Sequence, residues 1–222
     1  MARLSRLEET LSPASAGLVL FDVLHGYLHP TDPAKARFLA ESRVLANLVR
    51  LLQGARAIGM MVFYPSGAHA PHGADSVALL TDTDMDLTPF DAKGKTIKPR
   101  FHRGSAEAEI AAELAPAEGD VRIPKQRWSA FFQTNLDLQL RVRGIGTIIL
   151  AGGSTDVGIA STAYAARDMD YGLVIVRDAC FSMRGENHDF FMDRVFPRMG
   201  RVRSVDETLA LMAGAEAERR AP

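Results

Sequence analysis

Short apolar runs of strand length alternate along this chain with stretches of helical spacing, and that rhythm constrains the fold more than any other feature. The runs at 17–21, 60–64, 121–125, 147–151 and 173–176 are bounded by glycine, proline or charged residues. Most are apolar at successive positions, so both their faces must be covered, which a parallel sheet between helices achieves. The expected fold is therefore α/β: a three-layer, Rossmann-like parallel sheet of about six strands with helices on both faces.

Between the runs, an amphipathic segment is expected at 33–52, with Leu39, Val44, Leu45, Leu48 and Leu51 at helical spacing and Gly54 and Gly59 at its exit. Further helices are expected at 105–114 with Ser105 as N-cap, at 135–143, at 155–169, and from about 186. A last helix follows Ser204, which forms a capping box with Glu207. Residues 65–103 have no period and carry Pro65, Gly67, Pro71, Gly73, Pro89, Gly94 and Pro99. A long irregular segment of this kind usually covers a site or an interface.

The 222 residues suit one domain spanning 1–222. A net charge of −1 does not favour nucleic acid or an anionic membrane as partner. No apolar run is long enough for a transmembrane helix, and residues 1–15 lack the apolar core of a signal peptide. The single cysteine, Cys180, excludes an intrachain disulfide and cysteine metal clusters. A cytoplasmic enzyme acting on a small molecule is the expectation. Neither G-x-G-x-x-G nor G-x-x-x-x-G-K-[ST] occurs, so the rhythm alone implies no nucleotide, and no cofactor is expected.

Ligands of open parallel sheets bind beyond the carboxyl ends of the strands. That rule selects Asp22, Tyr64, Lys125, the turn at 152–155 and Asp178. Asp22 ends an apolar strand, where a carboxylate has no packing purpose, although capping the next loop would also account for it. Lys125 alone could simply be solvated; beside Asp22 it makes an acid–cation pair. Gly152-Gly153-Ser154-Thr155-Asp156-Val157-Gly158 joins a strand to a helix. It is either a plain tight turn or a helix N-terminus whose N–H groups, at Gly153, Ser154, Thr155 and Val157, receive an oxyanion or carboxylate.

These segments resemble the isochorismatase-like (cysteine) hydrolase superfamily. The strand ending in Asp22 is similar to the family's opening strand, and Lys125-Gln126-Arg127-Trp128-Ser129-Ala130-Phe131-Phe132, with Thr134 and Leu136, to its K-x-R-Y-S-A-F-x-x-T-x-L segment. Residues 149–168 resemble its nucleophile region, and the likeness spans about 17–212. It implies an Asp-Lys-Cys set in which aspartate shuttles protons, lysine stabilises charge and cysteine attacks an amide- or nitrile-like carbon. Asp22 and Lys125 match the first two; the third falls on Gly158. A cis peptide is implied at Gly153–Ser154, and homo-oligomers are common in the family.

Glycine has no side chain, so covalent catalysis at position 158 is impossible. Cys180 follows a different strand and reads as a buried thiol. Ser154, Thr155 and Ser161 are nearby hydroxyls without an evident histidine base; His102 and His188 carry no motif. The resemblance extends to isochorismatases proper, which also match with glycine here and hydrolyse a vinyl ether by acid catalysis. The leading expectation is therefore a hydrolase using Asp22 and Lys125 without a covalent intermediate. A silent binding protein, or an amide hydrolase with water replacing the thiol, are the alternatives. Tyr64 and Trp128, with Phe63, Phe131 and Phe132, are candidate pocket walls or simply core. Nicotinamidase-like relatives bind metal through Asp-x-His and a second His. Here His69 and His72 lie in a Pro/Gly loop without that aspartate, so no metal is expected.

Overall fold

A computed structural model of the chain describes residues 10–75 and 101–220. Most of the irregular 65–103 segment, at 76–100, lies outside the described residues. Six strands form a single, all-parallel sheet: β1 (Ala16–Phe21), β2 (Met61–Gly67), β3 (Val121–Lys125), β4 (Thr147–Gly153), β5 (Gly172–Phe181) and β6 (Arg201–Arg203), in the order β3-β2-β1-β4-β5-β6. The five apolar runs are the first five strands; the sixth is three half-buried residues without the apolar signature.

Alternation along each strand splits the core in two. Leu18 and Leu20 of β1 and Val62 and Tyr64 of β2 face α3 (Val44–Ala57) and α7 (Val205–Arg220). Val19, Phe21 and Phe63 face α4 (Leu136–Arg141) and α5 (Ala160–Asp168). Helices thus cover both faces, as the apolar strands require. No helix among the described residues is long and apolar enough to cross a membrane.

Three local expectations are corrected. The 33–52 segment is two helices, α2 (Pro33–Ser42) and α3, because Arg43 adopts a left-handed conformation (φ 55°). Asp32 caps α2, accepting from the Ala34 and Lys35 amides at 2.9 Å, with Pro33 in the first turn. Gly54 is not an exit signal but lies inside α3, where a β-carbon would come within 2.1 Å of Leu209 on α7. The helix expected at 105–114 is two 3-10 turns, Ala106–Ala108 and Ala112–Leu114, and Ser105 makes no capping bond. Between them the backbone extends to pair with the chain after β1: His25 donates to Glu109 (2.7 Å) and Ala111 to Val23 (3.0 Å). Those long-range bonds outcompete the local helix.

At the C-terminal end the capping box forms, with Ser204 N–H to Glu207 Oε2 at 2.7 Å and Glu207 N–H to Ser204 Oγ at 3.1 Å. The short α1 (His25–Leu28) follows β1, and α6 (Gly185–Phe190) follows β5 and continues into a π turn, Phe191–Val195.

Candidate active site

Parallel pairing aligns the carboxyl ends of the strands. Phe21 of β1 registers with Gly152 of β4, and Gly67 of β2 with Lys125 of β3. Asp22, immediately after β1, turns the chain with a left-handed φ of 45°, a conformation aspartate tolerates better than most residues. Its amide donates to Pro65 O (2.9 Å). Its carboxylate is then held at both oxygens: Oδ1 accepts from Gly67 N–H and Oδ2 from Lys125 Nζ, each at 2.7 Å. The Asp22 and Lys125 side chains are only 10% and 6% exposed, which makes this a buried ion pair. Lys125 Nζ also lies 4.3 Å from the centroid of the Phe21 ring, a cation–π contact, and 3.5 Å from Arg127 O. The acid–cation pair expected from two strand ends is thus formed.

The β4 turn contains a cis peptide at Gly153–Ser154, where it is implied by the resemblance. Gly152 carries φ 119°, and a β-carbon there would meet Phe21 O at 2.0 Å, so only glycine fits. The expected helix at 155–169 opens with a π turn, Thr155–Ile159, before α5 begins. Gly158 is buried inside that turn. An ideal β-carbon on it would lie 2.2 and 2.4 Å from Cε1 and Cζ of Phe21. The Phe21 ring therefore fills the space beside position 158.

The turn's other groups are engaged with one another. Ser154 Oγ donates to Asp156 Oδ1 (2.5 Å), and Asn187 Nδ2 to Asp156 Oδ2 (2.7 Å). Burial alone would raise the Asp156 carboxyl, but hydrogen bonds from Ser154, Asn187 and Ser182 outweigh it and hold the group below its ordinary value. Thr155, fully buried, pairs through Oγ1 with His188 Nδ1 at 2.8 Å. His188 is thus not isolated; burial lowers it below the usual imidazole value and favours the neutral ring. The Val157 and Ile159 amides both point at Ser154 O (3.3 and 3.1 Å), so the N–H of Val157 has an internal acceptor.

Tyr64 is not brought to the rim. Its side chain enters the α3 face, fully buried, with its hydroxyl 3.4 Å from Arg56 Nη2. Burial, with the Asp120 carboxylate nearby, pushes its phenol above the ordinary value. Strand alternation is the reason: Phe63 and Tyr64 must face opposite sides. Trp128 lies after β3 and is 47% exposed, whereas Phe63 and Phe131 are core. Asp178 accepts from the Val205 amide at 2.8 Å and caps α7 rather than facing the pair. Cys180 is buried, and burial pushes its thiol up to about 12, which disfavours the thiolate.

His69 Nδ1 is 3.6 Å from Asp75 Oδ1, too long for a hydrogen bond, and burial lowers its imidazole. His69 and His102 pair through their backbones. Among the described residues no group of three or more His, Cys, Asp and Glu is gathered so that it could hold a metal ion.

The acid–lysine pair lies at the carboxyl rim of an open parallel sheet, where ligands of such folds bind. Residues 16–207 match the Isochorismatase domain, and the chain belongs to that family, whose members include hydrolases. It is 46% identical over 98 residues to the uncharacterized isochorismatase family protein YecD of Escherichia coli O157:H7, a match covering 44% of this chain and 52% of YecD. The chain spans about half the length of YecD and of YwoC of Bacillus subtilis. It is 30% identical over 184 residues to the ureidoacrylate amidohydrolase RutB of Agrobacterium fabrum, covering 77% of each. Among solved structures, an isochorismatase family protein from Burkholderia thailandensis superposes with a TM-score of 0.74 at 28% identity, covering 93% of this chain and 99% of that one. N-carbamoylsarcosine amidase from Thermoplasma acidophilum shares the fold, with a TM-score of 0.66 at 23% identity over 86% of this chain and 97% of that one.

The residues that sequence reasoning missed are Phe21, Asn187 and His188. Phe21 carried a signal, a large ring immediately before the site aspartate in a chain with glycine at the position that the resemblance aligns with a cysteine. His188 and Asn187 carried none, because their distance in sequence from the β4 turn hides the contact.

Proposed function

We propose that the protein hydrolyses a small, carboxylate-bearing vinyl ether, isochorismate-like in its chemistry, by general acid catalysis without a covalent intermediate. One observation carries this reading: the Asp22–Lys125 pair is intact at 2.7 Å, while position 158 offers no side chain. In the reaction Asp22 protonates the methylene carbon of the enolpyruvyl group, giving an oxocarbenium ion. Water adds to the adjacent carbon, and the hemiketal collapses to pyruvate and an alcohol. Lys125 holds the substrate carboxylate, and the positive end of the helix that begins at the β4 turn assists. The bound carboxylate disfavours a second negative charge at Asp22, which suits proton delivery.

The likeness to RutB, an amidohydrolase, supports a second reading: C–N hydrolysis with water in place of the thiol. A screen of vinyl ethers and small amides, with the wild type beside Asp22→Asn, separates the two. Pyruvate release that falls about 100-fold or more in Asp22→Asn is the expected result. Ammonia or amine release from amides without pyruvate selects the second reading. Equal turnover by both proteins removes Asp22 from the mechanism, and ligand-induced thermal stabilisation without turnover makes the protein a binding module.

A further inference from the structure

The absent thiol and the Phe21 ring are two halves of one feature. Phe21 is the last residue of β1, 1% exposed and packed in the core that faces α4 and α5. Its backbone is pinned beside Gly152, and its ring sits between Lys125 Nζ at 4.3 Å and the backbone of Gly158. A β-carbon at position 158 would meet that ring at 2.2 Å, far inside any real contact, and a sulfur beyond it would need still more space. The ring is the far end of a side chain, but it is rigid and almost fully buried, so it has no open direction in which to yield.

We propose that Phe21 determines which chemistry this site performs: its ring occupies the seat of a nucleophilic side chain, and Phe21 with Gly158 excludes covalent catalysis as a coupled pair. The same ring places an apolar wall against the Lys125 ammonium, so one residue closes the covalent route and lines the acid–lysine pair. The inference deepens the non-covalent reading above and rests on it for its functional meaning. Restoring a nucleophile at position 158 then takes two substitutions, because the smaller residue at 158 and the larger one at 21 compensate each other in volume.

Four proteins test this: wild type, Gly158→Cys, Phe21→Ala and Phe21→Ala/Gly158→Cys. Melting temperatures are recorded, and separate folded samples are treated near neutral pH with iodoacetamide, in which a thiolate displaces iodide to form a thioether; peptide mass mapping locates the label. Cys180, whose thiol is buried, is the internal reference. The double variant is expected to melt above Gly158→Cys. The thiol introduced at position 158 should label in it at least about tenfold faster than Cys180, because a neighbouring ammonium favours the thiolate. The effects of the two substitutions on melting should be strongly non-additive. A double variant that melts no higher than Gly158→Cys overturns the proposal. So does a Gly158→Cys protein that melts like wild type with its new thiol as reactive as in the double variant. Melting and labelling read the packing alone, so they can fail while vinyl-ether turnover persists, and turnover can fail while they succeed.

Discussion

At the β1–β2–β3 end of the rim, a carboxylate and an ammonium stand 2.7 Å apart with little exposure, while at the β4–β5 end the polar side chains bond to one another. The first group is an acid–lysine pair whose other side-chain contacts are one backbone amide, one carbonyl and the Phe21 ring. The second is a closed lattice: Ser154 and Asn187 on Asp156, Thr155 on His188, and the Ser154 carbonyl on two amides. Both lie at the ends of parallel strands, where ligands bind. The difference is one of side-chain partners, not of position on the fold. The charged end holds groups able to move a proton, and the β4 turn supplies shape, with Phe21 and Gly158 interlocked between the two.

The largest expected effect comes from breaking the charged end. Lys125→Ala leaves Asp22 buried with only the Gly67 amide as hydrogen-bond donor, and loss of one partner of a buried pair typically costs about 3–5 kcal/mol. Chemical denaturation measures it, and turnover should fall with it. A loss below about 1 kcal/mol, as for an exposed pair, would mean the pair is solvated.

Breaking the lattice should cost less and leave a pH signature. His188 has a folded-state value below its unfolded one near 6.5, because burial favours the neutral ring. Its contribution to stability is therefore complete above about pH 6.5 and is lost as pH falls through the folded value. Melting temperatures at about pH 7.5 and pH 5.5 should differ less in His188→Asn than in wild type. Some difference should persist, because His69 is lowered by burial as well. An unchanged difference would remove His188 from the acid sensitivity of the turn.

Much of this contrast was legible in the sequence, and the reasons are specific. Two-sided apolar runs announced a parallel sheet, and strand-end logic gave Asp22 and Lys125 as a pair, because a carboxylate at the end of an apolar strand has no packing purpose; the same logic also selected Asp178, which caps α7 instead. The family pattern located Gly158. Tyr64 shows where linear reading failed: it closes an apolar run just as Asp22 does, but alternation turns it into the core beneath α3. The helix expected at 105–114 failed because pairing with residues 23–25 is a long-range choice that local propensity does not carry. Phe21 hinted at its role as a large ring beside the site aspartate, but its contact with Gly158 depends on how the β4 turn meets β1 and is not carried by the sequence.

The smallest expected effect follows from that correction. Tyr64→Phe removes one long hydrogen bond, 3.4 Å to Arg56, on the α3 face of the sheet. Stability should fall by about 1 kcal/mol or less, and kcat/KM should stay within about twofold of wild type. A larger loss of turnover than of stability would return Tyr64 to the site.

The central claim is that Asp22 delivers a proton to carbon and that nothing at position 158 attacks. Hydrolysis of an enolpyruvyl vinyl ether in heavy-oxygen water tests it most directly, with mass analysis of the alcohol product. Proton transfer to the methylene carbon followed by water addition leaves the alcohol with its original oxygen, and Asp22→Asn should slow the release of that alcohol about 100-fold or more. Heavy oxygen in the alcohol, or undiminished release by Asp22→Asn, would contradict the account.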